Sequence, residues 1–262
     1  MSIGAQIHPT STISADAALG RGVTVGPYAV INANVSLGDG SHVDSHTVLG
    51  APTADYYADA GAYQPAPCRI GRKALIRSHC VVYAGVTIGD DFECGHHATV
   101  REDAHIGDGV RIGTLCDLQP QVTIGNHARL HSNVFVARNS TIEELTWLFP
   151  YALLVDDPHP PSDTCTEGPT VRKFAVIGAA STVFPGVEIG QGAVVGAMSL
   201  VRHDVPPNTV AVGVPAAIVG SSENVVCHEG RLDRVYPWWL HFRRGYPDGV
   251  LPELGDEPAL GA

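Results

Sequence analysis

Charge is scarce in this sequence. Only 16% of its 262 residues are Asp, Glu, Lys or Arg, and the acids outnumber the bases 27 to 16. A net charge of −11 makes the chain a poor candidate for the phosphate-dominated binding of nucleic acids, while a local cluster of basic residues could still hold a small anion. Aromatic residues are thin as well, at 6%, so large rings cannot supply most of a core. No apolar run approaches the roughly 20 residues of a membrane-spanning helix. The opening MSIGAQIHP has neither a basic end nor an apolar stretch, so no secretory leader and a cytoplasmic location are expected. None of the six cysteines (68, 80, 94, 116, 165 and 227) belongs to a CxxC pair. They read as reduced thiols, and no metal is expected.

What the chain has in quantity is turn residues, 29 glycines and 19 prolines, together with a strict repeat. Aliphatic residues recur at every sixth position, from Ile7 through Ile13, Leu19, Val25, Ile31, Leu37 and Val43 to Leu49. The phase breaks, resumes at Ile70 and runs to Leu154 with Cys94 as one member; it breaks again and runs from Val171 to Val201. Four residues after each aliphatic comes a small or branched residue, as at Ser11, Ala17, Val23, Ala29 and Val35. Glycine often follows the aliphatic directly, at Gly71, Gly89, Gly107, Gly113, Gly125, Gly178 and Gly190. There it suits a backbone conformation that bulkier residues resist. A period of six fits no helix face and is too long for strand alternation. It fits a short strand plus a sharp turn. Three such units make a triangular coil of about 18 residues, and coils stack as parallel sheets about 4.8 Å apart.

These residues resemble the hexapeptide-repeat acyltransferases over residues 7–220. The resemblance implies an all-β, left-handed parallel β-helix of about nine to ten triangular coils. It also implies homotrimers with sites between subunits. Two loop insertions, near residues 51–69 and 155–170, interrupt the helix domain of residues 1–220, and residues 221–262 are expected to form a short C-terminal cap and tail. Insertions in a solenoid tend to gather on its binding face.

The second insertion carries chemistry: LLVDDPHPPSDTC holds two adjacent aspartates, a histidine and three prolines. Hexads spaced 18 residues apart share a face, and one such face holds His79, His96, His97, Asp117, His131, Asn133 and Tyr151. His79 and His97 lie one coil apart and should stack. The second insertion is expected to gather on the same side as these groups.

Two stretches, FECGHHATVREDAHIGDGVRIGTLCDL and RLHSNVFV followed by TWLFPYALLVDDPHPPSD, resemble the branch that N-acylates amino sugars carried on nucleotide diphosphates. A third, VVGAMSLVRHDVPPNTVAVGVPAAIVG, is similar to the closing coil that lines the coenzyme A site in that family. The resemblance implies a direct attack by the amine of a dTDP- or UDP-linked 3-amino or 4-amino deoxysugar on acetyl-CoA. It marks His131 as candidate base, with Asp156 and Asp157 orienting the acceptor. It places His96, His97, Arg101, Asn133 and Asp117 around the sugar nucleotide, and Gly178, Ala180, Ala197, Met198, Arg202 and His203 around coenzyme A. Arg101, Arg111 and Arg129 recur at outer positions suited to phosphates. The chain departs from the pattern at Asp156, where asparagine is common, at Met198, where glycine is usual, and at Phe135, where a polar residue is common. An ionised aspartate only accepts hydrogen bonds, which suits an ammonium or a sugar hydroxyl. Two other readings share this fold. One is a sugar O-acyltransferase, suggested by the opening IHPT. The other is a zinc carbonic-anhydrase-like protein using His105, His127 and His131.

Overall fold

Each hexad folds as a two-residue strand and a tight corner, and the aliphatic residue of each strand points inward. In the computed structural model, which describes residues 4–161 and 164–253, these strands stack into three sheets around a narrow prism. The first sheet, with strands such as Arg129–Leu130 and Trp147–Leu148, has 12 strands; the second, with Phe135–Val136 and Leu153–Leu154, has 10; the third, with Thr141–Ile142 and Thr170–Val171, has 9. The 10 strands of the second sheet count ten coils, and an eleventh begins in the first. Pairing within the prism is parallel and mostly 18 residues apart, as for Arg129 with Trp147 and Phe135 with Leu153. Among the described residues no helix is long and apolar enough to cross a membrane.

Inside the prism the aliphatics of successive coils touch: Ile76, Leu118, Ile124, Leu148, Leu154 and Ile177 are fully buried. The thiols of Cys68, Cys80, Cys94 and Cys116 fill the same interior, and all six cysteines are free. At the corners the chain turns through left-handed residues, many of them not glycine. On the first corner, between the first and second sheets, these include Tyr28, His46, His79, His97, Leu115 and Asn133, with φ from 56° to 62°. Each costs on the order of 1 kcal/mol in backbone strain, offset by hydrogen bonds between coils. On the third corner, between the third and first sheets, Asp39, Asp90, Asp108 and Asn126 each accept from a backbone N–H one coil earlier, at 2.7 or 2.8 Å.

The glycines that follow the aliphatics have a different reason from the one expected. A Cβ on Gly71 would lie 2.5 Å from the carbonyl carbon of Gly89, and one on Gly178 would lie 2.5 Å from the nitrogen of Ala197. Glycine is needed there for close approach of the next coil. The left-handed conformation falls two residues later, at Lys73 and Ala180.

Both insertions leave the second corner, between the second and third sheets. The first departs after Val48–Ala51, holds a short helix Ala54–Ala58 and returns at Cys68–Ile70. The other departs after Leu153–Leu154 and returns at Thr170–Val171; Ser162 and Asp163 within it lie outside the described residues.

The expected cap over the last coil is instead a strap. After an antiparallel hairpin, Thr209–Gly213 with Ala216–Ser221, the chain runs back over the outer face of the first sheet. The physical reason is that the outward positions of that sheet are apolar here. Trp147, Val176, Val194 and Val210 point out of the prism, and Trp238, Trp239, Leu240 and Leu251 cover them. Residues 254–262 lie outside the described part.

Candidate functional site

His131 follows the first-sheet strand Arg129–Leu130, so it stands at the first corner in the seventh coil. The outward side chains one coil above wall it. Its ring stacks on Phe149 at 4.8 Å and leans on Trp147 at 5.6 Å. Phe242 of the strap meets Trp147 edge to face at 5.2 Å. Burial among these rings disfavours the imidazolium and lowers the His131 pKa below its ordinary 6.5. A histidine held neutral can accept a proton at neutral pH.

Two cavities share His131, Trp147 and Phe242 as walls. One, of about 490 Å³, lies between strap and sheet and is completed by Phe149, Val176, Val235, Tyr236, Trp238 and His241. Its lining is almost wholly apolar. The other, of about 280 Å³, is bounded by Arg111, Arg129, Ser132 and Arg244. Arg129 is 7% exposed, donates to the carbonyls of Gly109 and Gly245, and lies 4.6 Å over the Tyr246 ring. No carboxylate pairs with Arg129 among the described residues, and burial lowers its pKa. Arg111 shares Glu93 with Arg77. The sequence marked Arg111, Arg129 and His131 but not the aromatic walls. The signal was present: all three tryptophans of the chain lie in this one cluster.

The remaining candidates divide between two corners. Asn133 takes the left-handed position next to His131, and Asp117 points outward from the second sheet between Thr99 and Phe135. Burial raises the pKa of Asp117. His97 stacks on His79 at 4.7 Å, as its spacing predicts, and the column continues through His46 to Tyr28. His96 shares a 2.8 Å hydrogen bond with the hydroxyl of Ser78. In the coils above, Gly178, Ala180, Ala197 and Met198 continue the same first corner, and Met198 is 73% exposed.

The second corner holds the others. Asp156 forms an ion pair with Arg138 at 3.1 Å, and its carbonyl accepts from the Glu167 N–H. Asp157 accepts from the His159 N–H at 2.9 Å. Arg101 is committed to Glu102 through two hydrogen bonds and lies over Tyr83. Arg202 lies over Phe184, and His203 is exposed beside it.

Contrary to the expectation, the loop therefore does not join His131 on one side of a single chain. Each hexad turns the chain by a third of a revolution, so a loop leaving after Leu154 sits one corner beyond a histidine that follows Leu130. The outer face of the second sheet lies between them. His105, His127 and His131, the zinc alternative, stand on the third sheet, the third corner and the first corner. Among the described residues no group of three or more His, Cys, Asp or Glu side chains is placed to hold a metal ion.

Comparisons with known proteins agree with the repeat. A bacterial transferase hexapeptide model, of six repeats, matches residues 103–138, and a model of the hexapeptide repeat of succinyl-transferase matches residues 175–197. A Schizosaccharomyces pombe chain that carries an acetyltransferase name is 36% identical over 113 residues, 39% of this chain and 44% of its own length. The serine acetyltransferase of Escherichia coli is 29% identical over 126 residues, 48% of this chain and 41% of its own length. The chain thus spans less than half of each of these curated relatives. The solved Arabidopsis UDP-N-acetylglucosamine acyltransferase superposes with a TM-score of 0.68 over 82% of this chain and 74% of its own, at 22% identity, a likeness of fold. With the six-residue period running through the whole prism, these matches place hexapeptide repeats of the transferase type at residues 103–138 and 175–197 of a left-handed parallel β-helix.

Proposed function

We propose that this chain is an acyltransferase that moves an acyl group from coenzyme A to the amine of a nucleotide-linked amino sugar, in a site shared between two copies of a homotrimer. One observation carries the reading. His131 and the Asp156–Asp157 loop stand one coil apart at opposite edges of the second sheet, and six of that sheet's ten strands turn an apolar residue outward. Val30, Val48, Val81, Phe135, Leu153 and Leu200 point outward from it. Three copies that turn this face to a common axis set the first corner of one beside the second corner of the next. His131 then faces the partner's loop. In the same way Gly178, Ala180, Ala197 and Met198 face the partner's Arg202 and His203 across the upper coils, a groove for coenzyme A.

In this site the arginines beneath His131 take the phosphates of the sugar nucleotide. The imidazole accepts the proton of the attacking amine, and Asp157 accepts hydrogen bonds from the sugar or its ammonium form. The groove holds the thioester against the amine, and such positioning supplies most of the rate. The new C–N bond forms as the C–S bond breaks, and the amine proton ends on the departing thiol. A sugar hydroxyl as acceptor is the second reading. It is favoured by the neutral, half-buried His131, because an alcohol depends more than an amine on a base.

The test is mass spectrometry of reactions containing acyl-CoA and a panel of UDP- and dTDP-linked amino sugars, with the matching hydroxyl sugars and free serine beside them. An amino sugar heavier by one acyl group supports the proposal. Modification confined to hydroxyl sugars selects the second reading. Modification of serine alone removes both.

A further inference from the structure

The cavity between strap and first sheet has no use in the transfer of an acetyl group. Its volume of about 490 Å³ falls in the range that buries a whole small-molecule ligand. Two polar groups of its walls are spent inside the protein. The Trp238 indole N–H donates to the Phe174 carbonyl, and His241 Nε2 bonds the Val235 carbonyl. A dry, ring-lined space of this kind suits neither water nor a sugar. One wall is His131, where the reacting carbonyl would sit, and the arginine cleft on the far side of Trp147 and Phe242 suits the anionic part of the reactants.

We infer that this cavity receives the acyl group of the donor, and that the group transferred is an unbranched aliphatic acyl chain several carbons longer than acetyl. The inference rests on the acyltransferase reading and names its donor. The carbonyl lies at His131, the hydrocarbon tail runs under the strap among Trp147, Phe149, Val176 and Trp238, and the pantetheine arm climbs the first corner. The reaction balances as before: acyl-CoA and amine give amide and free coenzyme A, with the proton carried off on the thiol.

All three tryptophans lie in or against the cavity wall, so intrinsic fluorescence reports its filling. The experiment titrates the full chain with acetyl-, butyryl-, hexanoyl- and octanoyl-CoA. Each methylene buried should tighten binding about three- to fourfold until the cavity is full, with a growing change in tryptophan emission. Val176→Trp, which fills the space from the sheet side, and Val235→Phe, which fills it from the strap, should each bring octanoyl-CoA back to the affinity of acetyl-CoA. The second substitution covers the case in which the first disturbs folding. Binding that is independent of chain length overturns the inference while the acyltransferase reading stands. A chain-length gain that survives both substitutions overturns it too, because the tail then lies elsewhere. If acyl-CoA of no length binds, the acyltransferase reading falls and this inference falls with it.

Discussion

At the scale of single residues the proposed site turns on His131. Its neighbours are rings, and burial is the cause of its lowered pKa. The base form is therefore favoured down to pH values below 6.5, and the acid limb of the pH–rate profile should lie below that value. Replacing His131 by Ala should lower turnover about a hundredfold and abolish that limb. Asp157→Asn should lower turnover at least about tenfold, since a carboxylate that accepts becomes an amide that also donates. Wild-type rates in both variants, measured in steady state, would remove these residues from the site. Gly113 offers a second handle. A Cβ there would lie 2.5 Å from the carbonyl carbon of His131 in the next coil. Gly113→Ala should cost roughly 1–3 kcal/mol of stability and displace the imidazole. His131 was legible in the sequence because RLHSNVFV holds it at a fixed place in the hexad. The ion pair that occupies Asp156 was not, because Arg138 meets it across a corner that periodicity leaves unspecified.

At the scale of elements, the corners and the strap carry the consequences. The column of Tyr28, His46, His79 and His97 stacks imidazoles at 4.9 and 4.7 Å. The His79 pKa is lowered by desolvation first, then by His97, His46 and His96, with Asp44 opposing. Protons therefore bind the unfolded chain more readily than the folded one as pH falls below 6.5. The stabilisation is complete above that value and is lost on acidification toward the lowered pKa. Denaturant midpoints measured between pH 8 and 5 should fall, and His79→Gln should flatten the slope. The strap is a separate unit of stability. Trp238 is 6% exposed against Trp147, Phe174 and Trp239. Trp238→Ala should cost about 3 kcal/mol and open the cavity. Amide exchange should then rise in residues 222–253 while the coils stay protected. The coils were legible because a six-residue period is a local property of the chain. The path of the strap was not, because it depends on outward positions that the repeat leaves free to vary.

At the scale of the molecule, the second sheet is the surface to test. Leu153 is 41% exposed on its outer face, one coil from Phe135. Leu153→Asp should convert the proposed trimer to folded monomers in sedimentation, with activity lost and the far-ultraviolet spectrum unchanged. A trimer that survives this change does not use that face. The two edges of this sheet also carry the two halves of the proposed site. Groups that one chain holds apart, His131 on one corner and Asp157 on the other, are those a threefold arrangement brings together.

The strap also gives the molecule an order in time. Arg129 donates to the carbonyl of Gly245, 116 residues later in the chain. At roughly 5–20 residues per second, a ribosome needs on the order of 6–20 seconds to cover that distance. The coils can stack while they emerge, since each needs only its neighbour. The wall that Tyr236, Trp238 and Phe242 complete around His131 cannot exist until those later residues have been made. A nascent chain is thus able to stack its coils before the wall around His131 is complete.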